Sequence, residues 1–521
     1  MANPSLQIGN DNWAIKEDNL LGYSTAGTRF VPQPITMTRA SAGTRVNSSG
    51  LVETVELLGS EEVTNGDFSN GLNNWTVEGA TSYASIVNGA LNSNNTNAGN
   101  WYAEHIEQDI SFVNGTTYKV TFKAKNISGG LNLRITQNAT VIISENLTDS
   151  FVDYSVLYTA NLTGGSIRIF CNSAVGQFEI DNISVKEYTA NNLARVDYDG
   201  TASSLLVEPL RTNLTPYSED LSQWTLVNGT LTPNATVSPD GTQNAGKVAF
   251  NNTGVDLKKT ITVVAGQTYT ISFYIKLESG TGLDGRFYDN NNSANIEVYD
   301  YTSQIQGTEW SKITRSVTAP IGCTQMQIWL LASSSSLVTA SFWGAQFEQG
   351  SYATSYIPTD GGTVTRVQET YEKTGISDLI NSEEGVLFVE MAALSDDVTE
   401  RYISLSDGSL NNRVYIQFTT TTNQIKMGVT KGGSTQASRP ETVSDVTEFN
   451  KLAISYSQDL FKFYVNGSLV FTDSSGDTFT ANTLNRLNFD VGTSGFSKFF
   501  GKVRKLQVYK TTDIDLAALT S

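Results

Sequence analysis

The 521-residue chain holds one histidine and two cysteines. Any Ser-His-Asp or Cys-His nucleophile system would therefore depend on His105, and no serine or cysteine around it stands in a nucleophile-elbow context. Cys171 and Cys323 fall in separate modules, so they read as free, buried thiols and stability must come from packing. Basic residues are also scarce: 34 Lys and Arg stand against 52 Asp and Glu, a net charge of −18 with pI ≈ 4.6. A phosphate-backbone partner needs clustered cations, so no nucleic acid is expected. No segment reaches the roughly 18 apolar residues of a membrane span. The start, MANPSLQIGNDNWAIKEDN, lacks the basic and apolar regions of a secretory leader, so neither that export route nor membrane insertion is expected. The sequons at Asn74, Asn126 and Asn146 carry little weight in that setting.

What is present is apolar material for packed cores, 39% of residues, in a chain rich in Gly, Asn, Ser and Thr with only 17% charged. Helix formers are few, and the length suits three or four domains. The expected fold class is all-β: tandem jelly-roll β-sandwiches with a short N-terminal arm.

Residues 1–57 read as an arm followed by two short strands joined by a turn, across ITMTRASAGTRVNSSGLVETV. Residues 58–188 form a first sandwich, with period-two runs such as TYKVTFKAK and SIRIF. Residues 189–214, NNLARVDYDGTASSLLVEPLRTNL, do not belong to it. They read as a continuation of Thr36–Val55, which makes the first sandwich an insertion whose flanking pieces pair with each other. Residues 215–361 repeat the first pattern: SQWTLVNG at Trp224 follows NNWTVEG at Trp75 by 149 residues (224 − 75). QTYTISFYIK at Tyr269 follows TTYKVTFKAK at Tyr118 by 151 (269 − 118). Near-constant offsets across distinct motifs indicate two copies of one sandwich. FWGAQFEQ ends the second copy, and SYATSYIPTDGGTVTR is a Pro-stiffened passage into residues 362–521.

The last module carries FKFYVNGSLVFTD, a hairpin across Asn466-Gly467, and the closing strand FFGKVRKLQVYK. It resembles the laminin-G-like or concanavalin-A-like jelly roll. The first sandwich resembles galactose-binding-like carbohydrate-binding modules through NGDFSNGLNNW and FEIDNISV. The ordered motifs LLGY, TRASAGTRVNSSGLVETV, ARVDYDG, LLVEPLRTNLTPYSEDLSQW and WGAQFEQGSYATSYIPTDGGTVTR resemble a family of tailed-bacteriophage virion proteins, the tail-fibre and head-fibre appendages.

That resemblance implies a structural protein of the virion surface, made in the bacterial host cytoplasm, its arm attached to capsid or tail proteins. It implies self-association, commonly as a homotrimer, and contact with host-surface polysaccharide. No enzymatic activity is expected. A purely structural decoration protein and a polysaccharide depolymerase are the competing readings.

Candidate glycan contacts are aromatics beside Asn-rich loops: Trp101 and Tyr102 in the first copy, Tyr299 and Tyr301 in the second. Chains this rich in aromatics bury most of them, so strand core is the favoured alternative for each, and Trp75 and Trp224, present in both copies, read as core. Jelly-roll sugar modules often hold a structural Ca²⁺. Asp67 of NGDF and Asp181 of FEIDN, at the two ends of the first sandwich, are its candidate ligands, with a turn and a strand end as the alternative. The second copy shows no matching acid in FWGAQFEQ.

Overall fold

A computed structural model describes all residues except 1–2, 10–12, 17–18, 27–28, 80–82, 97–103, 172–174, 251–255, 333–336 and 494. The chain is almost entirely strand; Leu516–Thr520 is the one α-helix among the described residues. It divides into two compact units, Glu56–Ala190 and the combination of Met1–Val55 with Asn191–Ser521.

In Glu56–Ala190 the strand Thr117–Ser128 pairs with Val152–Thr159 and Gly176–Thr189, and Gly176–Thr189 continues to Ala90–Asn95 and Ala84–Val87. The facing sheet runs Thr140–Asn146, Asn132–Gln137, Ser166–Cys171, His105–Asp109, Thr76–Glu78. Strict alternation in TYKVTFKA sends Tyr118, Val120, Phe122 and Ala124 into the core between the sheets.

The larger unit contains the second copy with the same strand order: Ser311–Thr318, Thr268–Ser279, Val338–Gln349, Ala245–Phe250, Gly229–Thr236 against Ala294–Asp300, Leu283–Asp289, Gln325–Ala332, Asp256–Thr262, Thr225–Val227. The repeated aromatics do the same work in each. Trp75 and Trp224 donate from Nε1 to the carbonyls of Asn65 and Tyr217, both at 3.0 Å. The hydroxyls of Tyr118 and Tyr269 accept from the N–H groups of Val113 and Val264.

The copies differ at one consequential place. Opposite Lys123 the first carries Asp181, an ion pair of 3.1 Å; opposite Tyr274 the second carries Trp343, 1% exposed. Each is followed by a bulge with a left-handed residue, Asn182 (φ 54°) or Gly344 (φ 66°), so the positions are equivalent. Trp343 packs with Val52, Ala245 and Tyr356, beside Val46, Tyr274 and Trp310. An apolar side chain here lets the hairpin Thr44–Val46/Val52–Thr54 cover the second sandwich; a charged pair keeps the first one's sheet face polar.

The C-terminal sandwich is completed by the N-terminus. Its closing strand Gly501–Tyr509 pairs on one side with Gly385–Ala393 and on the other with Leu6–Gly9 and Ala202–Val207. Arg29–Thr38 pairs with Thr370–Thr374. Leu6, Ile8, Leu20, Ile35 and Met37 share one core with Val503, Leu506 and Val508. Most of 1–57 is sheet rather than a free arm, because an unpaired Gly501–Tyr509 edge would leave its backbone groups and this apolar face in water. The segment after the insertion forms its own hairpin, Arg195–Asp199 with Ala202–Val207. It meets the earlier segment through single bonds rather than a ladder: Asn192 N–H to Arg39 O at 2.9 Å and Val46 N–H to Asp197 Oδ1 at 2.9 Å.

Beneath these segments lies a buried ion network. Glu369 accepts from Arg39 and, at both oxygens, from Arg195; Glu208 accepts from Arg195 at 2.7 Å and Arg366 at 3.0 Å. All five side chains are at most 3% exposed. Burial pushes the two carboxyls up, yet the guanidinium groups outweigh it and hold Glu208 and Glu369 below the ordinary range.

Candidate functional site

The strand Gln325–Ala332 lies in the middle of one sheet of the second sandwich. Its QMQIWL alternation buries Met326, Ile328 and Leu330 and turns Gln325, Gln327 and Trp329 outward. Lys258 and Arg286 are the cross-strand partners of Trp329 on its two sides; Thr260 and Tyr288 are those of Gln327. Lys258 Nζ lies 4.3 Å and Arg286 Cζ 4.4 Å from the indole centroid, distances at which a cation is attracted to the ring. The Tyr288 ring is 5.7 Å away, tilted 37°.

Hydrogen bonds fix this row. Trp329 Nε1 donates to Gln327 Oε1 at 2.8 Å, Gln327 Nε2 to Asn290 Oδ1 at 2.8 Å, and Asn290 Nδ2 to Gln325 Oε1 at 3.1 Å. Acidic groups border it. Asp256 pairs with Lys258 at 3.0 Å, and Asp284 faces Asp300 across the strands. Burial and the Asp300 charge raise the Asp284 carboxyl, whereas Thr302 hydrogen bonds lower Asp300. The result is a half-buried surface with two aromatic rings, fixed amides and carboxylates. Such a surface can stack on an apolar sugar face and hydrogen-bond its hydroxyls.

The first copy has a related face in the same register. Arg134 is paired with Phe170 as Arg286 is with Trp329, but Phe170 is only 3% exposed. His105, 6% exposed, lies 3.4 Å from Glu107, which also accepts from Arg168 at 2.7 Å. Glu107 and Arg168 are an ion pair across neighbouring strands beside the imidazole, and no nucleophile is bonded to that imidazole among the described residues. Burial pushes the Cys171 thiol up to about 12, and burial with the Asp289 charge pushes Cys323 up to about 11, so neither thiol is activated.

Of the aromatics expected to meet sugar, Trp101 and Tyr102 lie outside the described residues. Tyr299 and Tyr301 require correction: they are 7% and 0% exposed and belong to the sandwich core. Tyr299 stacks on Phe287 at 5.3 Å, occupying the space that Gly285 leaves; a Cβ there would lie 2.2 Å from the ring. Tyr301 meets Phe273 edge-on at 5.5 Å. The outward aromatics are instead Trp329 and Tyr288. The alternation in QMQIW and GRFYD carried that signal, and proximity to an Asn-rich loop did not.

The expected calcium ligands Asp67 and Asp181 each have partners within the protein. The NGDF turn and the FEIDN strand do meet, through Ile183 N–H to Gly66 O at 2.9 Å. Asp67, however, accepts from the Ser69 N–H and hydroxyl, and Asp181 is held by Lys123 and the Asn182 N–H. Among the described residues no group of three or more His, Cys, Asp or Glu side chains is arranged to hold a metal. In the second copy Trp343 stands at the Asp181 position. A cleft of about 420 Å³ in the larger unit is lined by Tyr274, Phe449, Lys312, Lys502 and Arg504. Its cations are largely spoken for: Lys502 pairs with Asp197, Lys312 donates to Thr354 O, and Arg504 lies 3.7 Å from the Phe449 ring centroid.

A carbohydrate binding domain family matches residues 60–174 and 217–330, and the concanavalin A-like lectin/glucanases superfamily matches 387–512. The chain thus carries two carbohydrate-binding-module-like domains and one laminin-G/concanavalin-A-like domain. No curated protein matches. Solved structures with likeness include a family 4 carbohydrate-binding module at 20% identity, covering 24% of this chain and 99% of that one, TM-score 0.21. Domains LG4-5 of mouse laminin α1 match at 10% identity over 62% of this chain and 95% of that one, TM-score 0.20. The enzymatically active domain of bacteriophage CBA120 tailspike protein 4 matches at 17% identity over 26% of this chain and 21% of that one, TM-score 0.22.

Proposed function

We propose that this chain is a non-enzymatic surface appendage of a tailed-bacteriophage particle that contacts bacterial or environmental glycans through the outward Trp329 face of its second sandwich. The observation that carries the glycan reading is the fixed row Trp329–Gln327–Asn290–Gln325 beside Tyr288, standing on a domain of carbohydrate-binding type. Side chains locked before the ligand arrives lose little entropy on binding, which suits weak, repeated sugar contacts. The virion reading rests on the ordered motifs from LLGY to TVTR.

The test is a glycan array probed with the full chain and with Trp329→Ala, alongside immunogold imaging of particles from the phage that encodes it. Binding lost in Trp329→Ala and label on particles support the proposal. Intact glycan binding in that variant would remove the site, and unlabelled particles would remove the virion role. Light scattering gives the stoichiometry, for which three copies are proposed. Release of reducing sugar from a bound polysaccharide would overturn the non-enzymatic reading.

A further inference from the structure

The Trp329 face carries a charge pattern that narrows its ligand. In a chain of net charge −18, two cations are set side by side around one indole. The Lys258 charge is matched by Asp256 at 3.0 Å. Arg286 is different: among the described residues it forms no ion pair, and its Nε is buried without a hydrogen-bond partner. A half-buried guanidinium without a direct ion-pair partner is disfavoured by desolvation, so such groups ordinarily take up an acid on folding or on binding. Acids do stand nearby on the same face: the Arg286 charge acts on Asp284, two residues along the strand, but Asp284 is paired in register with Asp300 and forms no ion pair with Arg286 among the described residues.

The first sandwich retains the register. Arg134 occupies the matching register position, opposite Phe170. It too forms no ion pair among the described residues, reaching only Ser144 Oγ at 3.5 Å. An arginine lying against an aromatic ring still presents a planar edge of N–H donors, and that edge matches a carboxylate with two parallel bonds.

We infer that the Trp329 face takes an acidic glycan, with the carboxylate of a uronic-type sugar residue meeting Arg286. The sugar ring stacks beside Trp329 and Tyr288, and its hydroxyls meet Gln327 and Asn290. Asp284, the next outward residue of the same strand, and Asp300 opposite it set a negative border beside Arg286. This rests on the proposed glycan-binding function and adds the charge class to it.

The experiment measures binding of the full chain to alginate, polygalacturonate and hyaluronate, each beside its carboxyl-reduced counterpart, and to neutral β-glucan and xylan. At least one acidic polymer is expected to bind and to lose about tenfold in affinity on carboxyl reduction, the value of one charge-assisted bond. Arg286→Gln should lose the same factor toward the acidic polymer and nothing toward its reduced form. Arg286→Lys should recover part of the loss, and an unchanged melting temperature in both variants excludes misfolding. Equal affinity for acidic and reduced forms, or hits confined to the neutral polymers, overturns the acidic class while leaving glycan binding standing. Failure to bind any polymer, acidic or neutral, overturns both.

Discussion

Arg195 and Glu369 meet edge to edge, Nε to Oε1 at 2.8 Å and Nη2 to Oε2 at 2.7 Å, with neither side chain exposed. The residues are 174 positions apart, and the whole second sandwich lies between them in sequence. The pair ties the segment that follows the insertion to the passage entering the C-terminal module, and Arg39 brings in the N-terminal strands.

Removing one partner leaves a buried charge uncompensated. Glu369→Ala should therefore destabilise the unit of Met1–Val55 with Asn191–Ser521 by about 3–5 kcal/mol. Urea unfolding followed by tryptophan fluorescence would read this, and a shift below about 1 kcal/mol would show that the network is dispensable.

Acid should act on the same network. Glu208 and Glu369 are held below their ordinary value of 4.5 when folded, so below that pH the unfolded chain binds more protons. Their contribution is complete above pH 4.5 and is lost as the medium is acidified toward the folded values. Glu219, raised by burial and by Asp240 and Asp360, works in the opposite direction. Melting temperature against pH should fall on the acid side, and the fall should be shallower in Glu369→Gln.

The N-terminal strand is expected to be needed by the C-terminal sandwich. Substituting Leu6 and Ile8, both 0% exposed, by serine removes two core side chains and loosens the cover of the Gly501–Tyr509 edge. Loss of about 2–5 kcal/mol per site together with concentration-dependent aggregation is the expected outcome. A monomeric double variant of normal stability would contradict the pairing.

Two aromatic substitutions separate surface from core. Trp329→Ala should abolish glycan binding with little change in melting. Tyr301→Phe should leave binding intact and be neutral or slightly stabilising, because its buried hydroxyl has no partner. Reduced binding in a well-folded Tyr301→Phe protein would return that residue to the site.

Local pattern was enough for the all-β class, the two sandwich copies and the inserted first module. Alternation, turn residues and repeated Trp and Tyr positions are short-range features, and each copy's core is built from its own strands. The alternation of QMQIWL would also have turned Trp329 outward, but proximity to Asn-rich loops singled out other aromatics instead. The sequence did not determine which partner each piece finds. Leu6–Gly9 reads as a polar, weakly patterned stretch, and it becomes buried sheet only because Gly501–Tyr509 offers an open edge almost five hundred residues away. Tyr299 and Tyr301 are outward or inward according to a bulge and to the gap at Gly285. The charges of Arg39, Arg195, Arg366, Glu208 and Glu369 resemble ordinary surface residues until long-range packing brings them together, because burial of a charge depends on what the rest of the chain places around it.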